Sequence, residues 1–174
     1  MAAKASLASI AEYFRLGLQV GMLQPAQAVA WADSQIQAAD SAPEGLIDVS
    51  WSKGLASTMD ALSAVPGERN VQLAGAWLLG LIGQSIPESA EDLQLAVQRA
   101  MHIARNAELG EEAYYRFDMI DDELSLARTK VYGTVDQCRL NFAAELAEYI
   151  PLDLDAAVQP LIAADPGRLR RPVG

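Results

Sequence analysis

The run VQLAGAWLLGLIGQSI, residues 71–86, is the longest apolar stretch in a chain of 174 residues, and its reading decides the fold. So apolar a segment is either a membrane span or a helix buried inside a globular body. A span requires about 20 consecutive apolar residues. This run falls short of that and is interrupted by Gln72, Gln84 and Ser85. Gly75, Gly80 and Gly83 lie within it, and residues without a Cβ let neighbouring helices approach closely. The run therefore predicts a buried central helix, with other helices packed around it.

Helix punctuation surrounds that segment on both sides. Upstream, Ser6 is a candidate cap for a helix burying Leu7, Ile10, Ala11, Phe14 and Leu18, with Gly21 at its end. Pro25 suits the first turn of a second helix whose predicted inner face is Val29, Ala32, Ile36 and Ala39. A short helical piece follows from Glu44 to about Trp51, and a fourth helix presents Leu55, Met59 and Leu62 before Pro66-Gly67.

Downstream, Ser89 caps a sixth helix with the core stripe Leu93, Ala96, Val97, Ala100, Ala104 and Ala107, closed by Gly110. A seventh, from Glu111 to about Tyr132, buries Ala113, Phe117, Ile120, Leu124, Ala127 and Val131. Thr134 through Gln137 has the spacing of a capping box for an eighth, which buries Phe142, Leu146 and Ile150. Pro151 and Asp153 restart a last short helix, and Asp165-Pro166-Gly167 releases a basic tail containing Arg168, Arg170 and Arg171. Only three threonines occur, and no segment alternates apolar and polar residues between turn dipeptides. The expected architecture is all-α: one domain over residues 1–165, a bundle of eight or nine helices, with residues 166–174 as a tail that is frayed or folded back on the acidic body.

Composition narrows the function. The formal charge is −10. Nucleic-acid and anionic-membrane surfaces are bound through clustered Lys and Arg, so neither is an expected partner. Acidic surfaces gain association rate toward basic proteins. The sole cysteine, Cys138, cannot form an internal disulfide, and no basic-then-apolar leader opens the sequence, so a cytoplasmic location is expected.

The residues that could do chemistry are few. His102, the only histidine, lies opposite the core stripe of its helix in a row with Glu91, Leu95 and Gln98, and one imidazole makes neither a zinc site nor a triad. Cys138 sits at the margin of an apolar face and lacks a cationic neighbour directed at its thiol. The carboxylates Asp118, Asp121, Asp122 and Glu123 resemble the aspartate-rich helices of isoprenoid synthases, but with reversed spacing and no second motif. The pairs Glu88/Glu91, Glu108/Glu111 and Glu145/Glu148 resemble the Glu-x-x-Glu helices of all-α nucleotide pyrophosphohydrolases. No Lys or Arg cluster stands at a fitting distance to hold the phosphate. No metal, catalytic residue or cofactor is assigned on this basis.

One helix face exceeds what solvation requires. Glu111, Tyr115, Asp118 and Asp122 form a single outward row on the seventh helix, flanked by Met119 and Leu126. Acids mixed with an aromatic, a methionine and a leucine are the composition of an interface. The row is the candidate partner-binding site; a ninth helix or the tail covering it is the alternative.

Residues 17–50 carry a resemblance. Gly21-Met22-Leu23-Gln24-Pro25, Val29-Ala30-Trp31-Ala32-Asp33, Ile36, Pro43 and Leu46-Ile47-Asp48-Val49-Ser50 together resemble the opening of small, uncharacterised bacterial helical proteins, some of the toxin-immunity type. The resemblance implies an acidic protein that binds a toxin and blocks its active surface. The resulting expectation is a non-enzymatic binding protein. A magnesium-dependent hydrolase built on the carboxylate pairs and a helical adaptor or chaperone for a secreted protein are the alternatives. Trp31, Trp51 and Trp77 are expected in the core.

Overall fold

A computed structural model describes residues 5–156, which contain eight complete α-helices, a helical turn over 154–156 that Asp153 caps, and no strand. The eight are α1 (Leu7–Gln19), α2 (Pro25–Ala38), α3 (Leu46–Trp51), α4 (Leu55–Ala64), α5 (Val71–Gly83), α6 (Ala90–Asn106), α7 (Glu111–Arg128) and α8 (Val135–Leu146). The basic tail lies outside the described residues. No helix among them is long and apolar enough to cross a membrane.

Two helical groups meet across α5. On one side α1 packs on α4 and α2 on α3; on the other, α6, α7 and α8 form a bundle in which α6 and α7 share the largest contact. The central helix touches α1, α6 and α8. Its glycines act where the sequence placed them. A Cβ on Gly75 would lie 2.2 Å from the Cβ of Ala107, and one on Gly80 would lie 2.4 Å from the Ile150 carbonyl carbon and the Pro151 nitrogen. α1 is sunk more deeply than α5, with ten buried positions against six in helices of equal length. Aromatic pairs organise both groups: Phe14 and Trp31 lie tilted by 30° with ring centroids 5.2 Å apart, and Phe117 meets Phe142 edge-on at 5.9 Å.

Local signals account for the helix starts. Ser6, Ser89 and Thr134 each accept the backbone N–H three residues on, from Ser9, Asp92 and Gln137. The Thr134 cap is half a capping box, because the Gln137 amide turns forward to Asn141. Asn70 caps α5 through Leu73 N–H. Distant arginines close two C-termini. Arg99 of α6 donates to the Val20 and Gly21 carbonyls behind α1, and Arg69 donates to the Leu62, Ser63 and Val65 carbonyls at the end of α4. Arg69 also meets Glu12, a carboxylate buried in α1 that Arg15 holds from the other side.

Several expectations need correction. α7 stops at Arg128, because Lys130 takes a left-handed φ of 57° and the Val131 N–H returns to the Leu126 carbonyl. Val131 is thereby exposed outside the helix. α8 likewise ends at Leu146 and leaves Ile150 exposed, with its backbone, not its side chain, against Gly80. α6 is closed by Glu108 at φ 54°, not by Gly110, which precedes α7. The inner face of α2 is Ala28, Trp31, Ala32 and Gln35, about one residue round from the expected stripe; Val29, Ile36 and Ala39 are half-buried. Ala113 is half-buried and Leu55 is exposed. Of the tryptophans, Trp31 is core and Trp77 half-buried, but Trp51 is 77% exposed at the end of a helix too short to turn it inward.

Candidate functional site

The flanks of α7 are tied to its neighbours. Toward α6, Arg128 reaches Gln94 and, at 3.5 Å, Glu91, while Arg105 lies over the Tyr114 ring at 4.3 Å. Toward α8, Arg116 bridges Glu112 at 2.7 Å and Glu145 at 3.2 Å, with Glu148 at 3.9 Å, and Asn141 donates to Glu123 at 3.2 Å. The inward stripe is Phe117, Ile120, Leu124 and Ala127. What remains is the outward face.

The six residues singled out from sequence are all on that face. Tyr115 is 57% exposed, Met119 62% and Leu126 43%; Glu111 and Asp122 are exposed and Asp118 half-buried. Among the described residues, the carboxylates of Glu111, Asp118 and Asp122 have neither a hydrogen-bond nor an ion-pair partner. Apolar area is thus interleaved with unneutralised acids over more than two turns. At its N-terminal end the face opens into a concavity of about 350 Å³ lined by Arg105, Glu108, Glu111, Tyr114 and Tyr115.

Glu108 is the member of this concavity that sequence reasoning assigned to a different role. It holds a left-handed backbone, which a side chain makes unfavourable, and it places an anion at the C-terminus of α6, where the helix dipole disfavours one. Its main-chain carbonyl accepts from Gln72, but its carboxylate has no partner among the described residues. Only a glycine would have signalled this conformation in the sequence.

The carboxylate pairs do not converge. Glu145 and Glu148 share Arg116, Glu91 reaches Arg128, and among the described residues no group of three metal-ligating side chains could hold an ion. Asp121 is half-buried, with one oxygen buried and unpaired. His102 is exposed. Cys138 is buried, and burial, followed by the charge of Glu123, pushes its thiol above the ordinary value. A catalytic thiol needs the reverse shift. Cys138 should therefore react with iodoacetamide at neutral pH at least about ten-fold more slowly than free cysteine, and recover normal reactivity in denaturant. Reactivity equal to the free thiol in the native protein would contradict its placement.

A second exposed apolar group, Ile47, Trp51 and Leu55, lies on α3 and α4, and the expectation of a core Trp51 hid it. Compared with known proteins, the chain matches no family model, no curated protein and no solved structure.

Proposed function

We propose that this chain is a non-enzymatic binding protein whose α7 face docks a basic protein, and that it acts as an immunity-type inhibitor of a bacterial toxin. One observation carries the reading: Tyr115, Met119 and Leu126 stand in solvent between Glu111, Asp118 and Asp122, whose charges no described side chain balances. Desolvated aromatic anchors supply most of the affinity of protein interfaces, and surrounding charge supplies rate and partner choice. The net charge of −10 favours a cationic partner, and the resemblance of residues 17–50 to immunity-type proteins narrows the class to a toxin.

The test is quantitative. A basic protein recovered with the chain from its native cell is purified, and affinity is measured for the wild type and for Tyr115→Ala combined with Asp122→Lys. Because both positions are exposed, the variant should keep its melting temperature and lose affinity at least about ten-fold. Binding of the wild type should weaken steeply with salt. Unchanged affinity would overturn the assignment of this face. A rise in melting temperature on adding magnesium or manganese with nucleotides would favour the hydrolase instead.

A further inference from the structure

Two features of the concavity beside α7 ask for a cation. Glu108 stands where both backbone and helix dipole disfavour it, and no described side chain answers its charge. Glu111 and the exposed ring of Tyr115 line the same space, followed along the face by Asp118, Met119, Asp122 and Leu126. Arg105 already occupies the Tyr114 ring, so the free aromatic surface is that of Tyr115. Carboxylates beside an open aromatic ring suit a guanidinium, which pairs with the former and stacks on the latter.

The chain carries such groups itself. Arg168-Leu169-Arg170-Arg171 is a cationic run of sequence with one apolar side chain, in a protein that is otherwise strongly acidic. The described chain also passes that end of α7: Tyr149, seven residues before its last described residue, lines a cleft with Leu109, Glu112 and Ala113, at the same end of α7 as Glu108 and Glu111. The twelve residues from Ala156 to Arg168 can span up to about 40 Å, against a length of about 27 Å for the whole of α7.

We propose that Arg168, Arg170 and Arg171 dock in cis on the face formed by Glu108, Glu111, Tyr115, Asp118 and Asp122, and compete there with the basic partner. The competition rests on the function proposed above; the docking does not. A tethered segment acts at a local concentration on the order of millimolar, so a weak intrinsic affinity suffices to cover the face, and a tighter partner displaces it. The face is thereby shielded until a partner with greater complementarity arrives.

The experiment uses the full chain and the variant R168E/R170E/R171E, with amide NMR spectra and titration of a synthetic peptide of residues 168–174. Charge reversal in the tail should move the amide signals of residues 108–122 and leave those of α1 to α4 in place. The peptide should bind the variant through the same amides, with affinity that falls with salt, and should bind the wild type at least about ten-fold more weakly, because the face is already taken. Placing Glu108→Gly and Asp118→Asn in the variant should weaken peptide binding while retaining the fold. Identical α7 signals in wild type and variant, or equal peptide binding to both, would overturn the proposal. If the tail docks but no basic protein is captured, the proposed function fails and the docking stands. If a partner binds both chains equally through Tyr115, the docking fails and the function stands.

Discussion

Replacing Arg69 by alanine is expected to destabilise the fold by about 3 kcal/mol, since it removes one of the two ion pairs of a buried carboxylate together with the donor to three carbonyls. Arg69 joins three elements through one guanidinium: it pairs with Glu12 of α1 at 2.7 Å and donates to three carbonyls that α4 leaves unsatisfied at its C-terminus. Its loss strands those carbonyls and leaves the buried Glu12 with Arg15 alone. Chemical denaturation of wild type and variant measures the difference, and a loss below about 1 kcal/mol would show the pair to be dispensable.

The same pair sets a pH dependence. Burial raises the pKa of Glu12, but hydrogen bonds and charge from Arg15 and Arg69 outweigh it and hold the carboxyl below its ordinary value of 4.5. A group whose folded pKa is depressed stabilises the native state above its unfolded pKa, and this contribution disappears as pH falls through the folded value. Wild-type stability contributed by Glu12 should therefore be complete above about pH 4.5 and be lost below it. In R69A the burial effect gains weight, so acid unfolding should begin at higher pH. An unchanged acid midpoint would contradict this coupling.

Where the sequence foretold the structure, the signal was local. Ser6, Ser89 and Thr134 are hydroxyl caps read one residue at a time, and the alanine-rich stripe of α6 from Leu93 to Ala107 lies in the core throughout. The outward row of α7 was legible for the same reason, since a long amphipathic helix fixes which side chains oppose its core. The failures concern where helices stop and which neighbours they meet. Lys130 and Glu108 end α7 and α6 in the left-handed region without a glycine to announce it, so periodicity carried on to Val131. Residue type places Trp51 in the core, whereas its exposure depends on how the short α3 sits against α2 and α4. The expected stripe of α2 follows the bulkiest aliphatics, Val29 and Ile36, although Trp31 packed against Phe14 and the small Ala28 and Ala32 determine which side packs.

The glycines of α5 allow the central-helix reading to be tested within one element. Alanine is about 1 kcal/mol better than glycine in a helix interior, so Gly→Ala should stabilise wherever the new methyl has room. At Gly83 it would meet the Leu146 Cβ at 3.4 Å, an ordinary contact at an exposed position, and a gain of about 0.5 kcal/mol is expected. At Gly75 it would lie 2.2 Å from the Ala107 Cβ, with Ile103 and Leu109 close behind. Ala107 has no rotamer by which to yield, so α5 and the end of α6 must separate, and overpacking of this kind costs about 1–3 kcal/mol. After the propensity gain the expected net loss is about 1 kcal/mol, measured by urea unfolding with an unchanged m-value. Opposite signs for one substitution eight residues apart in one helix cannot come from helix propensity; they require that α6 rests on the bare backbone of α5 at Gly75. If both variants were stabilised, α5 would not be in contact with α6 there, and the two helical groups would not share the core that places α7 with its acidic face outward.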